Sequence, residues 1–256
     1  MDLFRSDRLE YHSFNSPEDD DFFHSLQSDP IAFTNSCASL IRPVDRQFTA
    51  NIRKHLSESS MLFVVIYRTA FDPYTPPQPI GTLFLKSASP DMAHHRCSEF
   101  GNDIKQEWQS QGYGSEAINW MLDWAFQNAG LHRVECNVFG WNTRAQNLYQ
   151  RLGFSKEGRR RECLFKDDKW WDEVHLGILK KEWQQIRQSE VILLGRFTWE
   201  SKSSSYIETN TYTRTIRRGY ASSEDQRANV RHDPVRILDT LAILEETNSA
   251  DDGAHG

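Results

Sequence analysis

The sequence lacks any long apolar run. The longest, Met61–Tyr67 and Val191–Leu194, fall far short of the roughly 20 residues that a bilayer-spanning helix needs. No membrane association is expected. It also lacks a basic block. Asp and Glu number 36 against 30 Lys and Arg, a net charge of −6, whereas a chain that grips nucleic acid by its phosphates carries the opposite balance. No cationic, apolar leader opens the chain: Met1-Asp2-Leu3-Phe4-Arg5 soon turns polar and acidic, so no signal peptide is expected. Cysteine is scarce and scattered. Cys37, Cys97, Cys136 and Cys163 form no C-x-x-C pair and have no histidine at zinc-ligand spacing. Neither a disulfide framework nor a metal site is expected, and the thiols suit a reducing, cytoplasmic setting. Glycine (13) and proline (9) are spread thinly, and no internal repeat is visible.

What remains is a chain of 256 residues with 38% apolar and 26% charged side chains, ample for a core. Seven of the 8 tryptophans lie between Trp108 and Trp183, so large apolar surface is densest mid-chain. From about Glu190 the character changes. Ser201–Thr215 is rich in Ser, Thr and Asn, and Arg214–Arg236 is polar and charged. The expected organisation is a domain over 1–188 and a mostly disordered tail over 189–256. One short helix is expected in that tail, at 234–246. Asp233 would cap it, Pro234 would take its first turn, and Val235, Leu238, Leu241 and Leu244 form a stripe.

Within the body, helix and strand patterns alternate. Phe22–Leu26 reads as a short helix behind the acidic Glu18–Asp21, and Pro43–Leu56 as a second, with Phe48, Ile52 and Leu56 on one face. Leu62–Tyr67, Ile80–Lys86 and Ser98–Ile104 read as strands. Ser115–Gln127 is the clearest helix, because Ile118, Met121, Leu122, Ala125 and Phe126 recur at helical spacing. Arg133–Phe139 follows as a strand. Asn142–Arg151 follows as a helix that Gly153 stops, then a hairpin around Lys166-Asp167-Asp168-Lys169 and a helix over Lys180–Arg187. This interleaving predicts an α/β fold.

The chemically informative segment is Gln109-Ser110-Gln111-Gly112-Tyr113-Gly114-Ser115, between a strand and the clearest helix. Glycines there let the backbone approach a ligand, and a helix N-terminus offers unpaired N–H groups to a phosphate. The reading is a pyrophosphate turn; the plain alternative is a turn into a helix. Two cofactor classes fit. Gly112-Tyr113-Gly114-Ser115-Glu116-Ala117 satisfies the dinucleotide pattern G-x-G-x-x-A, and Glu135 lies where a ribose-binding acid is sought. Against it, the strand ends near Ile104, well before the turn, and Glu135 lies inside its own strand.

The other class is coenzyme A. Gln109-x-x-Gly112-x-Gly114 resembles the Q/R-x-x-G-x-G/A acetyl-CoA motif of the GNAT N-acetyltransferase superfamily. Ser98–Ile104 resembles the family's fourth strand and Gly130–Glu135 the entry to its fifth. Asn142-x-x-Ala145-x-x-Leu148-Tyr149-x-x-Leu152-Gly153-Phe154 is similar to its second conserved block. The pattern is that of the RimJ/RimL-like branch of ribosomal-protein-alanine and polyamine acetyltransferases, over roughly residues 5–187. The resemblance implies a mixed, mostly antiparallel twisted sheet with helices on both faces. It also implies acetyl-CoA as co-substrate and no metal. The acceptor would be a primary amine of a small molecule or a protein N-terminus, the enzyme a monomer or homodimer.

Residue by residue, the resemblance assigns the pyrophosphate to the backbone N–H groups of Gln111, Gly112, Tyr113, Gly114 and Ser115, with Gln109 opening the motif. It points the pantetheine arm at Ile104 and Gln106. Asn142 would contact that arm, or serve as a helix N-cap. Tyr149 would protonate the departing thiolate, or be a core aromatic. Glu99 would be the base, or a strand carboxylate in an ion pair. The frequent Gly-Lys is replaced by Ser110-Gln111, which removes one cation from the phosphates. Phe33, Asn35, Trp170 and Trp171 are candidate acceptor linings. The competing functions are a non-catalytic acyl-CoA-binding protein and an NAD(P)-binding oxidoreductase.

Overall fold

The computed structural model describes residues 2–69, 74 and 76–189. The expected tail and its helix at 234–246 lie outside the described residues. The elements run β1 (Leu9–Ser13), α1 (Asp20–Gln27), α2 (Pro30–Ser36), α3 (Arg46–Ser59), β2 (Ser60–Arg68), β3 (Gln78–Lys86), β4 (Cys97–Ile104), α4 (Tyr113–Asp123), β5 (Arg133–Phe139), α5 (Thr143–Arg151), β6 (Ser155–Lys166) and β7 (Lys169–Leu179). A final helix, α6, spans 180–189. The strands form one seven-stranded sheet ordered β1-β2-β3-β4-β5-β7-β6. Every neighbouring pair is antiparallel except β4 and β5, which run parallel.

Strand alternation decides which helices cover which face. On one face Leu83, Leu85, Phe100, Ile104 and Tyr11 enter the main core, where Tyr11 stacks on Trp120 of α4 at 3.6 Å. Phe100 meets Tyr149 of α5 there at 5.4 Å. On the opposite face Phe63 meets Phe23 of α1 at 6.2 Å, and His24 of α1 contacts Thr49 of α3 at 3.2 Å. So α4 and α5 lie on one face and α1, α2 and α3 on the other, and β4 borders both layers.

Local chemistry explains the boundaries. Asp45 accepts from the Phe48 N–H at 2.7 Å and caps α3, so that helix starts after Pro43 and ends later than expected. Two elements went unpredicted. α2 follows an Asp29 cap and Pro30, a signal present in the sequence but carried by only 7 residues. β1 has 5 residues, too few for alternation to stand out, although Leu9 and Tyr11 are both buried. The predicted stripe of α4 is fully buried, and the helix widens into a π-turn at Trp124–Asn128. Asp167 and Asp168 both have positive φ, 52° and 56°, as a two-residue hairpin turn requires.

Candidate active site

The glycine turn joins the layers. β4 stops at Ile104, a single 3-10 turn spans Gln106–Trp108, and α4 begins at Tyr113. Gln109 locks this approach internally: its Nε2 donates to the Ile104 carbonyl at 2.6 Å and its Oε1 accepts from Arg144 at 2.8 Å. Ser110 and Gly112 have φ of 60° and 84°. The first backbone bond into α4 runs from Glu116 N–H to the Gly112 carbonyl at 3.1 Å. The N–H groups of Gln111, Gly112, Tyr113, Gly114 and Ser115 therefore have no acceptor among the described residues. A row of free donors at a helix N-terminus fits a pyrophosphate.

The cation missing at Gln111 has neighbours that arrive from far away in the chain. Arg8 lies 4.6 Å over the Tyr113 ring, donates to the Gln111 carbonyl at 3.0 Å and pairs with Glu116 at 2.8 Å. Arg144 reaches the turn from α5 through Gln109. Sequence reasoning missed both, because no local spacing ties them to the turn.

Next to the turn the sheet opens. β4 pairs with β5 only from Cys97 to Glu99, while β3 covers the other edge of β4 as far as Ile104. Backbone of Phe100–Ile104 therefore borders a gap toward β5, an edge that can pair with an extended ligand arm. Asn102 reinforces this: its Oδ1 is buried with no hydrogen-bond partner, and a Cβ on Gly114 would stand 3.7 Å from its Nδ2. Together, the free donors, the gap and the orphaned acceptor fit the phosphate and amide groups of acetyl-CoA. Ile104 lies at the end of this edge. Gln106 lies past the strand, exposed in the 3-10 turn.

Tyr149 packs between Phe100 and Phe154, at 5.4 and 5.8 Å, beside the gap. Burial, with the Cys136 and Asp103 charges, pushes its phenol well above the usual range, so it holds its proton. Its hydroxyl has no partner among the described residues. Cys136 is buried core, and burial pushes its thiol up. The Asn142 side chain accepts from Ala145 N–H at 3.1 Å, so the cap role is realised. Glu99 faces the α1–α3 side and pairs with Lys86 at 2.9 Å.

Sequence reasoning passed over Asp103, on the same face of β4 as Glu99. It is partly buried beside Ser36 of α2, and burial raises its carboxyl to about 6, offset in part by the Ser36 hydroxyl. Nothing in the sequence singles it out, because β4 reads Cys-Ser-Glu-Phe-Gly-Asn-Asp-Ile and holds two acids among other polar residues. Trp141 spans the open end of the gap, donating to the Thr34 carbonyl of α2 at 3.2 Å and meeting Trp171 edge-on at 6.0 Å.

The other expected linings divide. Trp170 and Trp171 border a cavity of about 650 Å³ with Gly140, Gln146 and Asp172. Phe33 is buried and Asn35 is exposed on α2. The acidic run is largely engaged within the protein: Asp19 accepts from Tyr67, Asp20 pairs with Arg53 at 3.5 Å and Asp21 with Arg46 at 2.5 Å. The ribose-binding role of Glu135 is not met, because its carboxylate lies within β5 and accepts from Arg133 at 2.9 Å.

A family profile described as Acetyltransferase (GNAT) domain matches residues 8–155. The [Ribosomal protein uS5]-alanine N-acetyltransferase of Escherichia coli (strain K12) is 33% identical over 89 residues, 35% of this chain and 45% of that protein. The spermidine N(1)-acetyltransferase of Vibrio cholerae is 33% identical over 89 residues, 35% of this chain and 51% of that protein. The chain thus spans about half the length of the curated relatives it matches. Among solved structures, spermidine N-acetyltransferase from Vibrio cholerae in complex with CoA and spermine superposes with a TM-score of 0.59. It is 22% identical, and the match covers 70% of this chain and 99% of that one.

Proposed function

Because the chain belongs to the GNAT acetyltransferase family, we propose that it transfers an acetyl group from acetyl-CoA to a primary amine by direct attack in a ternary complex. The observation that carries this reading is the row of unpartnered amides from Gln111 to Ser115, leading onto the open edge of β4. Bound there, acetyl-CoA supplies the reactive thioester. The turn amides and the α4 dipole hold its pyrophosphate, and the Phe100–Ile104 edge aligns its pantetheine. Gln109, Gln106 and Asn142 complete the cofactor side, Gln109 by fixing the turn and Asn142 by capping α5 at the gap. Tyr149, kept protonated, gives its proton to the departing sulfur. A β4 carboxylate on the α1–α3 side, Glu99 or Asp103, takes the acceptor's proton, and Glu99 is the one the family resemblance names. The named relatives act on a ribosomal-protein alanine and on spermidine. The acceptor proposed here is correspondingly an N-terminal or polyamine amine, served by a monomer or homodimer. The free cysteines and the absence of a membrane-crossing helix among the described residues fit a cytoplasmic setting.

Thermal unfolding of the chain with acetyl-CoA or NAD(P) tests the cofactor. Acetyl-CoA at about 100 times Kd is expected to stabilise by about 2.7 kcal/mol and NAD(P) not at all. The reverse result returns the turn to the dinucleotide class. Stabilisation without thiol release on addition of spermidine or an alanine-initiated peptide leaves a non-catalytic acyl-CoA-binding protein.

A further inference from the structure

We infer that Asp103, rather than Glu99, is the catalytic base that takes the proton from the acceptor amine. This rests on the acetyltransferase reading above and specifies its acceptor side.

The geometry separates the two carboxylates. Glu99 lies where β4 is still paired with β5, and Lys86 holds it at 2.9 Å. Asp103 lies beyond the last β4–β5 pair, where the strands have parted. Among the described residues it pairs with no cation. It faces α2, whose Thr34 carbonyl is tied to Trp141 at 3.2 Å, so the carboxyl sits at a mouth framed by α2 and Trp141. From the other side of the sheet Tyr149 borders the same gap, near enough for the Asp103 charge to raise its phenol. A base reaching from the acceptor side and an acid reaching from the cofactor side, on either side of one opening, is the arrangement that direct transfer requires.

The surroundings fix the protonation behaviour. α2 brings only Ser36 to Asp103, and β3 brings Thr82, its register partner. The charged groups nearby are Glu99 with Lys86 on the same sheet, Lys105 with Glu107 at 3.4 Å, and the Tyr149 phenol through the gap. None is a cation bound to Asp103, and burial lifts its carboxyl to about 6 against the Ser36 hydroxyl, which lowers it. At neutral pH it is ionised yet far more basic than an ordinary aspartate near 3.9.

The proton balance closes. Asp103 takes one N–H proton from the ammonium and passes it to water. The freed nitrogen forms the new C–N bond as the C–S bond breaks. Tyr149 gives its O–H proton to the sulfur and recovers the second N–H proton as the amide forms. One proton is released per turnover.

The test is thiol release by the full chain with acetyl-CoA, using spermidine and an alanine-initiated peptide as acceptor probes, across pH 5 to 9. Wild-type kcat/KM is expected to rise through an acidic limb near pH 6. Asp103→Asn is expected to lower kcat by roughly 10²–10⁴-fold, the usual span for a general base, and to abolish that limb. Its KM for acetyl-CoA, and its stabilisation by acetyl-CoA in thermal unfolding, stay at the wild-type values; the latter shows that the variant is folded. Glu99→Gln is expected to keep the limb. A limb retained in Asp103→Asn, or lost in Glu99→Gln, overturns the assignment while leaving the transferase reading intact. A wild-type chain that binds acetyl-CoA but releases no thiol with either probe contradicts both.

Discussion

At the scale of single residues, the site is held together at a cost to stability. The unfolded chain holds the Asp103 proton up to about 3.9. The native chain holds it up to about 6. Between those values the native state binds more protons, so stability falls as pH rises through that window and stays lower above it. Asp103→Asn removes the buried charge and is expected to stabilise the chain at pH 7 by on the order of 2 kcal/mol. The difference vanishes below about pH 4. Denaturant melts at pH 4 and pH 7 check this, and an equal effect at both pH values contradicts the buried-carboxylate account. Ser110 holds a φ of 60° with a Cβ. Ser110→Gly is expected to raise stability by about 1 kcal/mol, a shift in Tm of roughly 2–4 °C. Tyr149→Phe deletes the proton donor but keeps the packing against Phe100 and Phe154. Its kcat is expected to fall at least roughly 10²-fold with acetyl-CoA binding intact. Full turnover across the pH range removes Tyr149 from the acid role.

At the scale of elements, the turn into α4 separates its two glycines. Gly112 has φ 84° and a Cβ there would stand 3.0 Å from the Arg8 guanidinium, whereas a Cβ on Gly114 meets nothing nearer than 3.7 Å. Gly112→Ala is expected to destabilise by about 1–2 kcal/mol and to weaken acetyl-CoA binding. Gly114→Ala is expected to gain up to about 1 kcal/mol of helix propensity and to bind as the parent does. Equal losses in calorimetric titration contradict this division. Long periodic elements were legible in the sequence. Ile118, Met121, Leu122, Ala125 and Phe126 marked α4, and β5 runs from Arg133 to Phe139 as expected. β1 and α2 were not, being too short for periodicity to speak. The turn residues of the site were legible too, because their chemistry is local. The contributions of Arg8, Arg144 and Asp103 were not. They depend on which segments the sheet order brings together and on where β4 and β5 part, and neither is written in the spacing of nearby residues.

At the scale of the whole molecule, the sheet is one antiparallel array broken by a single parallel pair, and that pair opens the site. The described residues through Ser189 belong to one compact unit, with Trp183 of α6 donating to Asp123 of α4 at 3.0 Å. The proposed division into 1–188 and 189–256 therefore predicts that a fragment ending at Ser189 folds and binds acetyl-CoA as the full chain does. A fragment recovered only as insoluble protein contradicts that division. The central claim is the transfer itself, and thiol release from acetyl-CoA by the full-length chain, with and without spermidine or an alanine-initiated peptide, tests it most directly. The account predicts amine-dependent release of one thiol per acetylated amine, with the added acetyl group seen by mass spectrometry. Release that does not depend on the amine, or none at all from a chain that acetyl-CoA stabilises, would contradict it.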